Sequence, residues 1–141
     1  MPVTLDQLEA GGQYIDLPQG KVFYKLFGDE KAKELIVCVH GLGSGHFQWN
    51  LMVPVLVAQG YRVLIYDLFG RCLSDDLPGT ERYTKEVFVH QIHELLKLSD
   101  LASQYPSFGL IGHSMGGFLV QAYACAFPND VSFLVTFESH L

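Results

Sequence analysis

Basic residues are scarce in this sequence, and they do not cluster. Nine Lys and Arg stand against 15 Asp and Glu, which gives a formal net charge of −6 at pH 7. A protein that binds nucleic acid needs a basic surface to neutralise the phosphates. The composition therefore argues against nucleic acid as a partner.

Cysteine is also rare. The three cysteines, Cys38, Cys72 and Cys125, are far apart and show no metal-ligand spacing. An odd number of scattered cysteines predicts free thiols in a reducing compartment rather than disulfides or a metal site. We therefore expect a cytoplasmic protein that has neither a bound metal nor another cofactor.

Long apolar segments are missing as well. The longest apolar run, residues 51–58, is interrupted by Pro54 and is too short to cross a bilayer. The first residues contain neither a basic start nor an apolar stretch, so no signal peptide is visible. Without a transmembrane segment, a repeat or a linker, residues 1–141 are expected to form one domain.

What the sequence does contain is an alternation of apolar strands and helices. Strands are predicted at residues 13–17, 21–27, 35–39, 61–66, 108–111 and 131–137, and helices at 46–59, 83–99 and 118–127. Strands that are apolar on both faces indicate a mostly parallel sheet flanked by helices, the α/β class. Active sites lie at the carboxyl ends of such strands, so His40, Asp67, Ser114 and Glu138 should gather at one edge of the sheet.

A Gly-x-Ser-x-Gly motif at residues 112–116 lies between a predicted strand and a predicted helix. In this context the motif is typical of a nucleophile elbow, a tight turn that holds a serine hydroxyl above a sheet. Small residues are needed on both sides of the turn, and the helix N-terminus beneath it favours an anionic intermediate. Ser114 is therefore the candidate nucleophile.

With this motif in place, the chain resembles the α/β-hydrolase family, close to its esterase and lipase members. The resemblance rests on motifs in the family order: Tyr24 with Gly28, His40-Gly41, Trp49 before Pro54, residues 60–63, residues 67–70, the elbow and the strand at Val131. It implies that the third strand lies beside the fifth and the fifth beside the sixth. It also implies an oxyanion hole made by the backbone N–H groups of Leu42 and Met115, and an ester or acylglycerol as the small-molecule substrate.

The family order of the catalytic triad is Ser, then an acid, then His. After Ser114 the sequence offers Asp130, Glu138 and His140, and we note Glu138 and His140 as a makeshift acid and base. The resemblance thus covers an amino-terminal half, a partial domain that ends after about the sixth strand. Two functions remain open: a serine hydrolase whose triad is incomplete in this chain, or a non-catalytic remnant that binds a ligand or a partner.

The other histidines are expected to have structural or solvated roles. His40 is interpreted as a loop-shaping residue and His113 as a packing residue that points away from the nucleophile. His46, His90 and His93 are expected in solvent, on or near exposed helix faces.

Two further expectations concern Cys72 and the last strand. Cys72 stands where the family usually has a glycine, and we expect a buried, inert thiol there, in a loop that differs locally if the position requires positive φ. The strand at 131–137 is apolar and without proline, which predicts an edge open to self-association.

Overall fold

The computed structural model describes residues 2–139, and its strands form one six-stranded sheet. The strands are β1 (Gln13–Leu17), β2 (Gly20–Phe27), β3 (Leu35–Val39), β4 (Arg62–Tyr66), β5 (Phe108–His113) and β6 (Val131–Phe137). Their order across the sheet is β1-β2-β4-β3-β5-β6. β2 pairs antiparallel with β1 and β4, whereas β4, β3, β5 and β6 run parallel. The α/β class and the predicted neighbours, β3 beside β5 and β5 beside β6, are confirmed.

Within residues 2–139, five α-helices connect or precede these strands. They are α1 (Leu5–Glu9), α2 (Val53–Ala58), α3 (Lys85–Leu98), α4 (Leu101–Gln104) and α5 (Met115–Ala126), with short 3-10 turns at His46–Trp49, Thr80–Arg82 and Pro128–Asp130. α3 begins as the sequence predicts, because the Thr84 side chain accepts a hydrogen bond from the Val87 N–H at 3.2 Å. No helix within residues 2–139 is long and apolar enough to cross a membrane.

The core lies on both faces of the sheet. All five residues of β3 are buried, and their side chains alternate between the two faces. Val37 and Val39 join the cluster covered by α3 and α5, whereas Ile36 and Cys38 join the smaller cluster that includes residues of α1 and α2. This two-sided burial explains why β3 is a continuous apolar run without alternation.

The sequence prediction was wrong about some helices. The region predicted as one helix at 46–59 is a 3-10 turn followed by α2, and Pro54 lies in the first turn of α2, where its missing N–H is not needed. The two short helices α1 and α4 were not predicted. α1 is marked by a capping box, in which the side chains of Thr4 and Gln7 each bond the other residue's backbone N–H.

β6 forms one edge of the sheet. On one side it pairs with β5, and no strand within residues 2–139 pairs with its other side. Leu134, Val135 and Phe137 are 39%, 38% and 41% exposed, so apolar side chains accompany the open backbone groups. Such an edge can pair with another strand.

Candidate active site at the carboxyl edge of the sheet

Ser114 lies in the turn between β5 and α5, at the N-cap of the helix. Its backbone has φ 54° and ψ −120°, a conformation that costs a non-glycine residue about 1–3 kcal/mol. The Ser114 N–H donates a hydrogen bond to the Phe137 carbonyl at 2.9 Å, which ties the turn to the end of β6. A strained serine held by its neighbours at the head of a helix has the geometry expected of a nucleophile elbow.

The two glycines of the motif allow close backbone contacts. A Cβ on Gly112 would lie 2.3 Å from the Gly116 carbonyl oxygen, and a Cβ on Gly116 would lie 2.1 Å from the Val39 carbonyl oxygen. Neither glycine has a positive φ. Side chains are therefore excluded at both positions by contact with backbone atoms and not by an unfavourable φ.

Two backbone N–H groups beside Ser114 have no acceptor among residues 2–139, those of Leu42 and Met115. Met115 is the first residue of α5, where helix geometry leaves the N–H without a partner. Leu42 belongs to the loop after β3, and its side chain is 67% exposed. This loop lies against the elbow, because a Cβ on Gly41 would be 3.2 Å from the Ser114 Cβ.

His40 fixes the orientation of the peptide that carries the Leu42 N–H. Its Nε2 accepts a hydrogen bond from the Leu68 N–H at 3.0 Å, so the proton of the neutral ring is on Nδ1, which donates to the Gly41 carbonyl at 2.8 Å. The same carbonyl accepts the Ser44 N–H at 3.3 Å. Because C=O and N–H of a trans peptide point in opposite directions, both bonds direct the Leu42 N–H away from His40 and Ser44.

His40 is itself fully buried, and burial holds the pKa of its imidazole below the ordinary value. A neutral ring with both nitrogens engaged cannot accept a proton from Ser114. These contacts agree with the interpretation of His40 as a loop-shaping residue.

His46 corrects one expectation from the sequence. It was expected in solvent, but its side chain is only 13% exposed and its Nδ1 lies 2.9 Å from Asp67 Oδ1. The Asp67 carboxylate is completely buried and also accepts the N–H groups of His46 at 2.7 Å and Leu73 at 3.1 Å. Burial raises the pKa of Asp67, but the bonds and charge of His46 together with the Leu73 N–H outweigh it and hold the pKa below its ordinary value.

The interpretation of His113 as a packing residue is only partly right. Its Nε2 lies 3.2 Å from Glu138 Oε2, while its Nδ1 is buried without a hydrogen-bond partner among residues 2–139. Glu138 is 82% exposed at the side chain and has φ 48°. Glu138 thus contacts His113, the neighbour of the nucleophile in sequence. His140, expected as its partner, lies outside the described residues.

The remaining histidines differ in exposure. His90 is exposed, as expected, but His93 is half-buried and stacks on Phe127 with ring centroids 4.3 Å apart.

Among residues 2–139, no group of three or more His, Cys, Asp or Glu side chains could hold a metal ion. The four strand-end residues expected to gather are linked through their sequence neighbours. His40 bonds Leu68, the residue after Asp67, and Glu138 lies 3.2 Å from His113, the residue before Ser114. A Cβ on Gly41, the residue after His40, would lie 3.2 Å from the Ser114 Cβ.

The expectation of a buried Cys72 was wrong. Cys72 is exposed and takes a positive φ, 45°, that a glycine would adopt without cost, so this position carries backbone strain. Its Sγ donates a weak hydrogen bond to the Ser44 carbonyl at 3.8 Å. Partial burial, and then the negative charge of Asp67, raise the pKa of the thiol, which makes it less reactive.

Gln91 joins the site to α3 and was not predicted from the sequence. Gln91 is fully buried; its amide oxygen accepts the Phe69 N–H at 3.1 Å and its amide nitrogen donates to the Asp67 carbonyl at 3.0 Å. The signal was a polar residue on the apolar face of α3, beside Phe88 and Ile92, because such a residue must find partners.

Two surface grooves lie away from Ser114. One, of about 900 Å³, lies beside α1 and the end of β2, and the other, of about 630 Å³, lies between α3 and α5. Ser114 lines neither of them. The geometry of the elbow identifies this site.

Comparison with known proteins agrees with this geometry. A family described as alpha/beta hydrolase fold matches residues 34–140. A proline iminopeptidase from Saccharolobus solfataricus is 33% identical over 114 residues, which are 81% of this chain and 36% of that protein. A human (lyso)-N-acylphosphatidylethanolamine lipase is 32% identical over 128 residues, 87% of this chain and 36% of that protein.

Among solved structures, the thioesterase domain from the curacin biosynthetic pathway superposes with a TM-score of 0.82 at 27% identity. The match covers 93% of this chain and 47% of that domain. The chain therefore spans between about a third and a half of the length of these relatives.

Proposed function

This chain belongs to the α/β-hydrolase family, and we propose that it carries the nucleophile, Ser114, of a serine hydrolase that acts on carboxylic esters, including acylglycerols. The observation that carries the proposal is the strained Ser114 at the head of α5, beside two N–H groups without acceptors among residues 2–139. The names of two relatives, a lipase and a thioesterase domain, support ester chemistry. A peptidase relative leaves amides as the competing substrate class.

In the proposed reaction the Ser114 hydroxyl attacks the ester carbonyl, and the carbonyl oxygen becomes an oxyanion. The N–H groups of Leu42 and Met115 are the proposed donors to that oxyanion, and the N-terminal end of the α5 dipole adds to their effect. Collapse of the intermediate expels the alcohol and leaves an acyl group on Ser114, which water then removes.

The hydroxyl also needs a base that an acid orients. Among residues 2–139 no histidine ring is hydrogen-bonded to the Ser114 hydroxyl: His40, His46 and His113 are bonded elsewhere. We propose that efficient turnover uses an acid and a histidine from the additional length that the relatives possess. For residues 1–141 alone, we propose that Glu138 and His140 serve as the acid and the base of a slower ester hydrolysis.

The test is covalent labelling of the protein at its native length with a fluorophosphonate probe, together with hydrolysis of a short-chain nitrophenyl ester. Ser114→Ala should abolish both, whereas Ser107→Ala, at an exposed position before β5, should change neither. Residues 1–141 alone should turn over more slowly by roughly 10⁴- to 10⁶-fold, the usual cost of lost triad members.

Labelling that persists in Ser114→Ala would overturn the assignment of the nucleophile. A native-length protein that neither labels nor hydrolyses the ester would favour the second candidate, a non-catalytic module. The exposed edge of β6 is the observation that favours this alternative, because an unpaired edge strand can pair with another chain. We also propose that β6 mediates self-association.

The cytoplasm is the proposed location. It rests on the three free thiols, of which Cys72 and Cys125 are exposed and would be open to oxidation outside a reducing compartment. Fractionation of cells expressing the native-length protein would test it.

A further inference from the structure

The loop that carries the Leu42 N–H is attached at both ends to the end of β4. At its start, His40 accepts the Leu68 N–H at 3.0 Å. At its end, the backbone N–H and the Nδ1 of His46 both bond the Asp67 carboxylate, at 2.7 Å and 2.9 Å. The loop between them, residues 41–45, is thus held by two neighbouring residues of a different strand end.

This loop needs such attachment because of its composition. Three of its five residues are glycine, which lose more conformational freedom on ordering than any other residue. The other side-chain bonds to residues 41–45 within the described part of the chain are those of Gln48 to the Gly41 N–H at 3.1 Å, of Cys72 to the Ser44 carbonyl and of His40 to the Gly41 carbonyl. Towards its C-terminal end the loop is held by the bonds of His46 to Asp67 and by the Gln48 N–H, which donates to the Gly45 carbonyl at 3.0 Å. The bonds of His46 join this end to β4.

We propose that the His46–Asp67 pair positions residues 41–45, the loop that carries the proposed oxyanion donor Leu42, and thereby sets the turnover rate. This inference rests on the proposed serine-hydrolase function. The pair does not touch the reacting atoms and acts through residues 41–45. Gly45 lies directly against it, since a Cβ at Gly45 would be 3.1 Å from Asp67 Oδ1. Loss of the His46 ring leaves residues 41–45 joined to Asp67 only through the His46 backbone N–H, at 2.7 Å, so the Leu42 N–H samples more positions outside hydrogen-bond distance of the oxyanion.

The expected effect is a reduction of kcat by roughly 10- to 100-fold, less than the 10²- to 10³-fold typical of losing a whole oxyanion donor. Since the substrate ground state does not use the oxyanion interaction, KM should stay nearly constant. Binding of a trifluoromethyl ketone, which forms a hemiketal oxyanion with the serine, should weaken by the same factor as kcat.

The variants are His46→Ala, which removes the ring, and His46→Asn, whose amide nitrogen takes nearly the place of Nδ1. His46→Asn should recover most of kcat and of ketone affinity. The control His90→Ala, at an exposed position of α3, should behave as the wild type. If His46→Ala does not fold, His46→Gln replaces it, because its longer amide cannot reach the Nδ1 position.

An activity-independent arm separates this proposal from the function on which it rests. Hydrogen exchange of the amides in residues 41–45 should accelerate at least tenfold in His46→Ala, while exchange in α3 stays unchanged. If activity proves independent of Ser114 but exchange changes as expected, the serine-hydrolase proposal fails and the positioning of the loop stands. If activity depends on Ser114 but kcat, ketone affinity and exchange in His46→Ala match the wild type, the positioning proposal is overturned.

Discussion

A methyl group added at Gly116 tests the close contact that holds Ser114 above the sheet. The new Cβ would lie 2.1 Å from the Val39 carbonyl oxygen and 2.6 Å from that of His40, far inside ordinary contact distance. Both oxygens belong to the backbone at the end of β3, so α5 must move away from the sheet. Overpacking of this kind costs about 3 kcal/mol at the upper end of the usual range.

Alanine in place of glycine recovers about 1 kcal/mol of helix propensity, so Gly116→Ala should lower the free energy of unfolding by about 2 kcal/mol. For a chain of this size that corresponds to a fall in Tm of roughly 8 °C. Gly117→Ala is the matched control, because it lies in the same turn of α5 but its close contact, at 2.6 Å, is with the side chain of Ser139, while the Gly112 carbonyl oxygen lies at an ordinary 3.4 Å.

Urea unfolding followed by tryptophan fluorescence measures the difference, since the one tryptophan, Trp49, is buried. Gly116→Ala should also label more slowly with the fluorophosphonate at native length, because the elbow moves with the helix. Equal urea midpoints for Gly116→Ala and Gly117→Ala would refute the reasoning that backbone contact excludes a side chain at Gly116.

Three further predictions concern stability and assembly. Folding lowers the pKa of Asp67, so its contribution to stability is present above the ordinary pKa of about 3.9 and is lost as the pH falls through the folded pKa. The urea midpoint of the wild type should therefore decrease as the pH is lowered below about 4. Asp67→Asn should show a smaller decrease. An equal fall in both proteins would contradict this assignment. Thr84→Ala should cost about 1 kcal/mol in urea unfolding through loss of the α3 cap, while Thr80→Ala should cost little; equal losses would exclude the cap as the cause. Val135→Lys should shift self-associated residues 1–141 toward monomer in sedimentation velocity, because a charge on an edge strand opposes pairing, and an unchanged distribution would exclude β6 as the interface.

Patterns within short segments predicted most of the fold. β1, β3 and β6 have the predicted bounds, because apolar runs bounded by turn residues depend on local chain properties. Resemblance to the family supplied the strand neighbours, which local periodicity cannot give. The short helices α1 and α4 were missed because five- and four-residue segments carry too little periodicity.

The candidate nucleophile was accessible from sequence because its motif and its flanking elements are contiguous. Ser114 is found by five adjacent residues between a strand and a helix, and its backbone has the strained φ that the motif requires. The prediction that Cys72 is buried was wrong, because the exposure of this side chain depends on how the loop after β4 packs against residues 44–45.

The sequence by itself determined the alternation of strands and helices, the serine turn and the acidic surface charge, since each is a property of neighbouring residues or of their sum. Only the tertiary structure decided that His46 meets Asp67, that Glu138 meets His113 and that Gly116 touches Val39. Each of these pairs is separated by 21 or more residues, and the crossover from β4 past β3 to β5 brings their strand ends together. Such contacts depend on strand order and register. His46 was therefore expected in solvent from the sequence, but it lies beside the buried carboxylate of Asp67.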